Sequence, residues 1–458
     1  MLLGLVATAR AGDGSAPDAW PVDAVIPKVA TKADPSQQYS LYLPPHYSPQ
    51  RRWPVLVMLD ARGHGEAALR LAVDGARANG WIVVSSYQSR SDTNEIVTLQ
   101  AMQALLREAL QGLASDPRRI YLAGLSGTAK TLWTRAEQLN PLLAGMIGCG
   151  GGRPPELGAL RKPPAAFLGM AGTEDFNYEE MRDLDAELAD AGATHRLLVF
   201  PGVHGWPPAD TFTEAIGWLE LVAMRDARTM RREDWIDARF AADHTRAISE
   251  TGLERWRRLD QMARDYRGLR DVGSIQAEAD TLRQQPGVRR QVAGERRLRS
   301  DELEATHRLD AWIARVGGRG PEAHNAVTGA LAELRVASLR EMANGSDQNL
   351  AQSARRRIER ILAFTGFYLP EQFAKQGETA RAVAMLRLAL DIESAQPYAH
   401  WRIAQLEAQA GHKDKAFAAL EAARALGYVD VDDLQRNPAW ATLRSDARWA
   451  TAVVALPK

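Results

Sequence analysis

At 458 residues the chain is too long for one compact core and requires two or three domains. Lys plus Arg and Asp plus Glu both number 57, so no net field draws it to nucleic acid or to an anionic membrane. The single cysteine, Cys149, excludes an intrachain disulfide and a cysteine-cluster metal site, and no stretch reaches the apolar length of a transmembrane helix.

Residues 1–28 read as a leader. Leu2 to Ala9 is apolar and Ala9-Arg10-Ala11 has the small-x-small form of a cleavage site, but a basic stretch ahead of it is missing. An export signal would place the protein in the periplasm or outside the cell. An unstructured leader would leave it cytoplasmic.

Residues 29–225 alternate between strand and helix patterns. Gln38–Leu43 alternates polar and apolar, as an antiparallel edge strand does. Apolar runs follow at Trp53–Leu59, Trp81–Tyr87, Ile120–Gly124, Leu143–Gly148, Ala165–Met170 and Arg196–Phe200, short enough to be strands buried on both faces. Glu95–Leu113 and Tyr178–Ala191 have helical period and crossover length. The pattern predicts an α/β fold, a mostly parallel sheet with helices on both faces.

Beyond Met224 the strand signal stops, and an all-α half follows: a helical region over 226–365, then repeats over 366–458. Gly377, Ala382, Leu386 and Ala389 recur as Gly411, Ala416, Leu420 and Ala423, each 34 residues later. That is the tetratricopeptide (TPR) period, with small residues where two helices of a hairpin meet. Such hairpins must stack to bury their faces and offer a surface for a protein partner. The Arg-rich stretch Gln284–Arg299, with its Pro and Gly, reads as a solvated linker. The repeats read as a separate recognition unit; the opposing reading makes the helical half a cap over the site.

The chemistry centres on Ala123–Ala129, AGLSGTA, directly after the strand RIYL. It fits the nucleophile elbow Gly-x-Ser-x-Gly through Gly124, Ser126 and Gly127, with Thr128 in the last Gly position. Small flanking residues are needed because strand and helix nearly touch there, so Thr128 requires more room or a helix displaced outward. An acid and then a histidine should follow, each after a later strand. Asp175 follows AAFLGM and His204 follows RLLVF. In that order His204 would take the proton of Ser126 while Asp175 fixes its tautomer; Glu174 is the alternative acid. One oxyanion donor should be the backbone N–H of Gly127, the other that of Ala61 or Arg62 in the loop after WPVLVML. Asp60 in that loop needs a partner, Arg62 or Arg90. Trp206, two residues after His204, is a candidate for lining a substrate pocket.

Through PVLVMLDARG, GWIVVSSY, DPRRIYLAGLSG, GTEDFNY and FPGVHGWPP, residues 38–224 resemble the α/β-hydrolases grouped with esterases, polyhydroxybutyrate-depolymerase-like enzymes and dienelactone hydrolases. The resemblance covers about 40% of the chain. It implies hydrolysis of a small-molecule or polymeric ester through an acyl-serine, with no cofactor, and it names no substrate. Two rival readings exist. A silent hydrolase fold could serve as a TPR adaptor, favoured by Thr128 and Asp60. Alternatively, Gly124 to Thr131 is one residue from a P-loop, Ala129 replacing its second Gly, with Lys130 as the phosphate-binding lysine. The scattered histidines form no metal-ligand pair.

Overall fold

The computed structural model describes residues 20–91, 94–136, 138–139, 142–160 and 165–454. Most of the leader, residues 1–19, lies outside them. Eight strands, β1 (Val25–Ala30), β2 (Gln38–Tyr42), β3 (Trp53–Leu59), β4 (Ile82–Ser86), β5 (Ser115–Leu125), β6 (Leu143–Cys149), β7 (Ala166–Gly172) and β8 (His195–Phe200), form one sheet in the order β1-β2-β4-β3-β5-β6-β7-β8. The β1–β2 and β2–β4 pairings are antiparallel and the other five are parallel. This is the α/β-hydrolase fold.

Every residue of β3, β6 and β7 is buried, because helices cover both faces and leave no solvent side to alternate with. On one face, Ala68 and Leu69 of α1 (Gly65–Asn79) join Phe212, Ile216 and Trp218 of α5 (Ala209–Arg225). The other face carries Met102 and Leu105 of α2 (Glu95–Gln111), Leu132 and Trp133 of α3 (Gly127–Arg135), and Met181 and Leu184 of α4 (Tyr178–Asp190). Two sequence expectations change here. β2 is not the edge, since β1 pairs outside it, and β1 begins at Val25, inside the stretch assigned to the leader.

The second half is helical: α6 (Glu233–Ser249), α7 (Gly252–Asp265), α8 (Gly273–Gln284), α9 (Pro286–Gly317), α10 (Pro321–Thr328), α11 (Ala330–Glu333), α12 (Val336–Ala343) and α13 (Gln348–Ala363). A π-helical turn, Phe364–Tyr368, leads into α14 (Leu369–Lys375). Then come α15 (Thr379–Ile392), α16 (Pro397–Gln409), α17 (Lys413–Ala425), α18 (Val431–Arg436), α19 (Ala441–Arg444) and α20 (Arg448–Val454). The Arg-rich stretch is no linker but the start of the 32-residue α9. Pro286 sits in its first turn, where no N–H is needed, so the residue that suggested a break starts the helix instead.

Gly377 and Gly411 take left-handed φ values of 77° and 81° where α14 turns into α15 and α16 into α17. The residues recurring at 34 are the buried ones: Ala382, Leu386, Ala389, Ala416, Leu420 and Ala423 are each at most 1% exposed.

The halves share buried polar contacts. The Trp218 indole donates to Asp265 of α7 at 2.7 Å, and Arg196 of β8 reaches the same carboxylate at 3.4 Å. Leu221 and Met224 of α5 form one apolar cluster with Ile236, Leu259, Met262 and Tyr266.

Candidate active site

β5 runs into α3 with no loop between them, and Ser126 occupies the corner at φ 57°, ψ −124°. That conformation is costly for a residue with a Cβ and persists only where the surroundings enforce it. The enforcing contacts are visible. The Ser126 N–H donates to the Cys149 carbonyl at 2.8 Å and its carbonyl accepts from Lys130 N–H at 3.2 Å. A Cβ on Gly124 would lie 2.6 Å from the Ala129 nitrogen, so strand and helix approach as closely as a glycine allows.

Thr128 therefore does not push α3 outward. It is fully buried, and its hydroxyl accepts from Leu125 N–H at 2.9 Å while donating to the Leu59 carbonyl at 2.6 Å. A glycine there would lack this tie between the corner and the end of β3.

His204 and Asp175 meet beyond the ends of β8 and β7. His204 Nδ1 lies 2.9 Å from Asp175 Oδ1, which also accepts the Asn177 N–H at 2.7 Å. Asp175 is fully buried and His204 partly exposed, its ring against Phe176 at 4.3 Å between centroids. Glu174, the alternative acid, accepts from Arg355 instead, at 2.7 Å.

The turn after β6 joins these groups. A Cβ on Gly150 would fall 2.7 Å from Asp175 Oδ2 and 2.9 Å from His204 Nδ1, and one on Gly151 would fall 2.3 Å from the Ser126 carbonyl. Two successive residues, about 3.8 Å apart, thus touch all three sequence-predicted residues. The Cys149 thiol, raised well above its usual range by burial and then by Asp175, stays protonated and donates to the Gly205 carbonyl at 3.0 Å. It holds the His204 loop.

Asp60 does not pair with Arg62 or Arg90. Its Oδ1 accepts the backbone N–H groups of Arg62 and His64, both at 2.8 Å, and its Oδ2 accepts the Trp206 indole at 2.8 Å. The Arg62 N–H is consequently spent, which removes it as an oxyanion donor and leaves Ala61, whose carbonyl is fixed by Ser91 N–H at 2.8 Å. Gly127 supplies the first N–H of α3, which has no partner inside the helix. Trp206 packs on Phe212 of α5 at 5.6 Å, and its N–H ties the histidine loop to the Asp60 loop.

The P-loop reading fails on the same bonds. Leu125 and Ser126 N–H groups are committed to Thr128 and Cys149, and Lys130 pairs with Glu180 at 3.0 Å, so two loop donors and the lysine that a phosphate would need are already engaged. Among the described residues no group of three or more His, Cys, Asp or Glu could hold a metal ion. No helix among them is long and apolar enough to cross a membrane.

Sequence reading missed the contribution of α13, which lies on the acid loop. Arg356 donates to the Thr173 carbonyl at 2.8 Å and Arg360 to the Phe176 carbonyl at 3.0 Å, bracketing Asp175. The Glu359 carboxyl on this helix is held above its ordinary range, by burial first and then by Glu174, Glu393 and Asp175, with His204 pulling it down. The Arg-rich sequence of α13 was the one signal, and arginines on a helix normally face solvent.

No protein-family model matches the chain, and no curated protein does. Solved structures align with its sheet half. A substrate-bound fluorophosphonate-binding serine hydrolase F of Staphylococcus aureus is 14% identical, covering 43% of this chain and 98% of its own, with a TM-score of 0.36. An esterase of Pyrobaculum calidifontis is 12% identical over 44% of this chain and 86% of its own, with a TM-score of 0.36. A thermostable esterase is 22% identical over 42% and 61%, with a TM-score of 0.34.

Proposed function

We propose that the chain is a serine hydrolase that cleaves carboxylic esters through an acyl-serine. Ser126 is the nucleophile, His204 the general base and then acid, and Asp175 the group that orients the imidazole. The observation that carries this reading is the His204–Asp175 bond of 2.9 Å beside a serine in a strained strand-to-helix corner. His204 Nδ1 is spent on Asp175, so Nε2 is the nitrogen available to the Ser126 hydroxyl. Attack forms the Oγ–carbonyl bond, and the proton passes to Nε2 and on to the leaving alcohol. Water then repeats the sequence to release the acid. The N–H groups of Gly127 and Ala61 receive the developing oxyanion. The 34-residue helical pairs are a TPR-like array in this reading, with a partner as their second ligand, and the leader directs export.

Fluorophosphonate labelling with Ser126→Ala as control tests the assignment. The wild type should label and hydrolyse short esters, and the variant should do neither while keeping its melting temperature. Asp175→Asn should lower kcat on the order of ten-thousand-fold, as loss of the orienting acid does in the best-studied triad. Equal labelling of Ser126→Ala would refute the nucleophile.

A further inference from the structure

Along the repeats, with Ser91 of the sheet half in its lining, lies a cleft of about 790 Å³. Phe367, Tyr368, Tyr398, Tyr428 and Trp401 supply its rings. The rings form a continuous series. Phe367 contacts Tyr368 at 5.3 Å and Tyr398 at 6.1 Å, and Tyr428 contacts Tyr398 at 6.3 Å and Trp401 at 5.3 Å. Except for Trp401 they are only partly buried, an unusual number of large rings facing one opening.

Two contacts join the walls of this cleft to the Ala61 loop. Ser91 is the residue whose N–H fixes the Ala61 carbonyl, and the Arg62 guanidinium lies 5.9 Å from the Tyr398 ring. At the other side, the π-helical turn bearing Phe367 and Tyr368 directly continues α13, which clamps the acid loop on both sides of Asp175.

Most of the charged groups in the cleft are already used. Glu371 pairs with Arg402 at 2.6 Å, and Asp433 accepts from Trp401, Gln405 and Trp440 at 3.1, 2.7 and 2.9 Å. What remains for a ligand is ring surface and the exposed Lys375 ammonium. A flat ring would find edge and face contacts there. Because His204 must protonate the leaving group, the alcohol belongs on the histidine side. The Ala61 side is then left to the acyl part.

We infer that this cleft is the acyl pocket and that the substrates are esters of acids carrying an aromatic ring. The inference rests on the serine-hydrolase reading above. The repeats then serve as a wall of the active site.

The test compares ethyl 3-phenylpropanoate, ethyl 3-cyclohexylpropanoate and ethyl butanoate, whose carbonyls are of near-equal reactivity, with phenyl acetate as the arm bearing its ring on the alcohol. The full-length protein should favour the phenylpropanoate over the butanoate by about tenfold or more in kcat/KM, and over the cyclohexyl ester by a few-fold, as aromatic pairing allows. Tyr398→Ala and Phe367→Ala should pull the phenylpropanoate-to-butanoate ratio toward one, and Tyr398→Phe should keep it. Reading a ratio cancels any general loss of catalysis. A wild-type ratio near one, or a ring preference confined to phenyl acetate, overturns the acyl-pocket assignment. Failure of the catalytic reading shows separately, as absent labelling of Ser126. Calorimetric binding of ethyl 3-phenylpropanoate to Ser126→Ala, weakened by Tyr398→Ala, supports the pocket even then, and no binding overturns it.

Discussion

At the scale of single residues the site depends on contacts that admit no added atom. Gly150 is the clearest case. Its φ of 52° disfavours any Cβ, and that Cβ would press on both Asp175 Oδ2 and His204 Nδ1. Gly150→Ala is expected to move the pair and cost a hundredfold or more in ester kcat, the penalty for about 1 Å of misplacement. A wild-type kcat in a folded Gly150→Ala variant would show that the His204–Asp175 geometry is not critical. Glu359 gives a prediction with a pH signature. Its native carboxyl binds protons more tightly than an unfolded glutamate, whose pKa is about 4.3. The native state therefore holds the extra proton between the two values, and stability is lost as pH rises through that window. Glu359→Gln should raise the melting temperature at neutral pH and above, and the gain should vanish below about pH 4. A gain independent of pH would assign the effect to packing.

At the scale of elements, one helix of the second half braces a loop of the first. α13 offers Arg356 to both the Thr173 carbonyl and Glu302 of α9, at 2.8 and 3.1 Å, in a buried arrangement. Arg356→Met leaves Glu302 buried without its partner and should cost about 3–5 kcal/mol of stability. It should also lower kcat, because the acid loop loses one of its two clamps. Adding Glu302→Leu should restore the melting temperature and leave kcat low. Recovery of both would mean that the arginine acts on stability alone. This coupling marks the limit of what the chain disclosed in one dimension. The strands, the serine corner and the order Ser126, Asp175, His204 were legible because each depends on neighbours within a few positions. The partner of Asp60 was not, since Trp206 stands 146 residues away and reads locally as an apolar ring beside a histidine. α9 was hidden because proline at a helix start and proline in a loop look alike without the backbone.

At the scale of the molecule, the contacts across the two halves bear on whether they can be parted. The sequence suggested separable units, since the last strand and α5 end at Arg225. A fragment ending there would keep every strand and every residue proposed for catalysis. It would also lose Asp265, leaving the Trp218 N–H without its acceptor and Arg196 with Glu214 alone. A buried donor without its partner costs about 1–3 kcal/mol. Leu221 and Met224, each at most 1% exposed in the whole chain, would face water, adding roughly 1.5–3 kcal/mol for each large side chain uncovered. Against a typical domain stability of about 5–15 kcal/mol these losses are decisive. The acid loop would lose Arg356 and Arg360 as well. We therefore expect the 1–225 fragment to aggregate or, if soluble, to melt well below the full chain and hydrolyse short esters at a small fraction of its rate. Thermal denaturation beside a p-nitrophenyl acetate assay decides the matter. A soluble fragment with full-length kcat/KM would mean that the helical half is an appendage, and that neither the brace on Asp175 nor the contacts at Asp265 carry the weight assigned to them here.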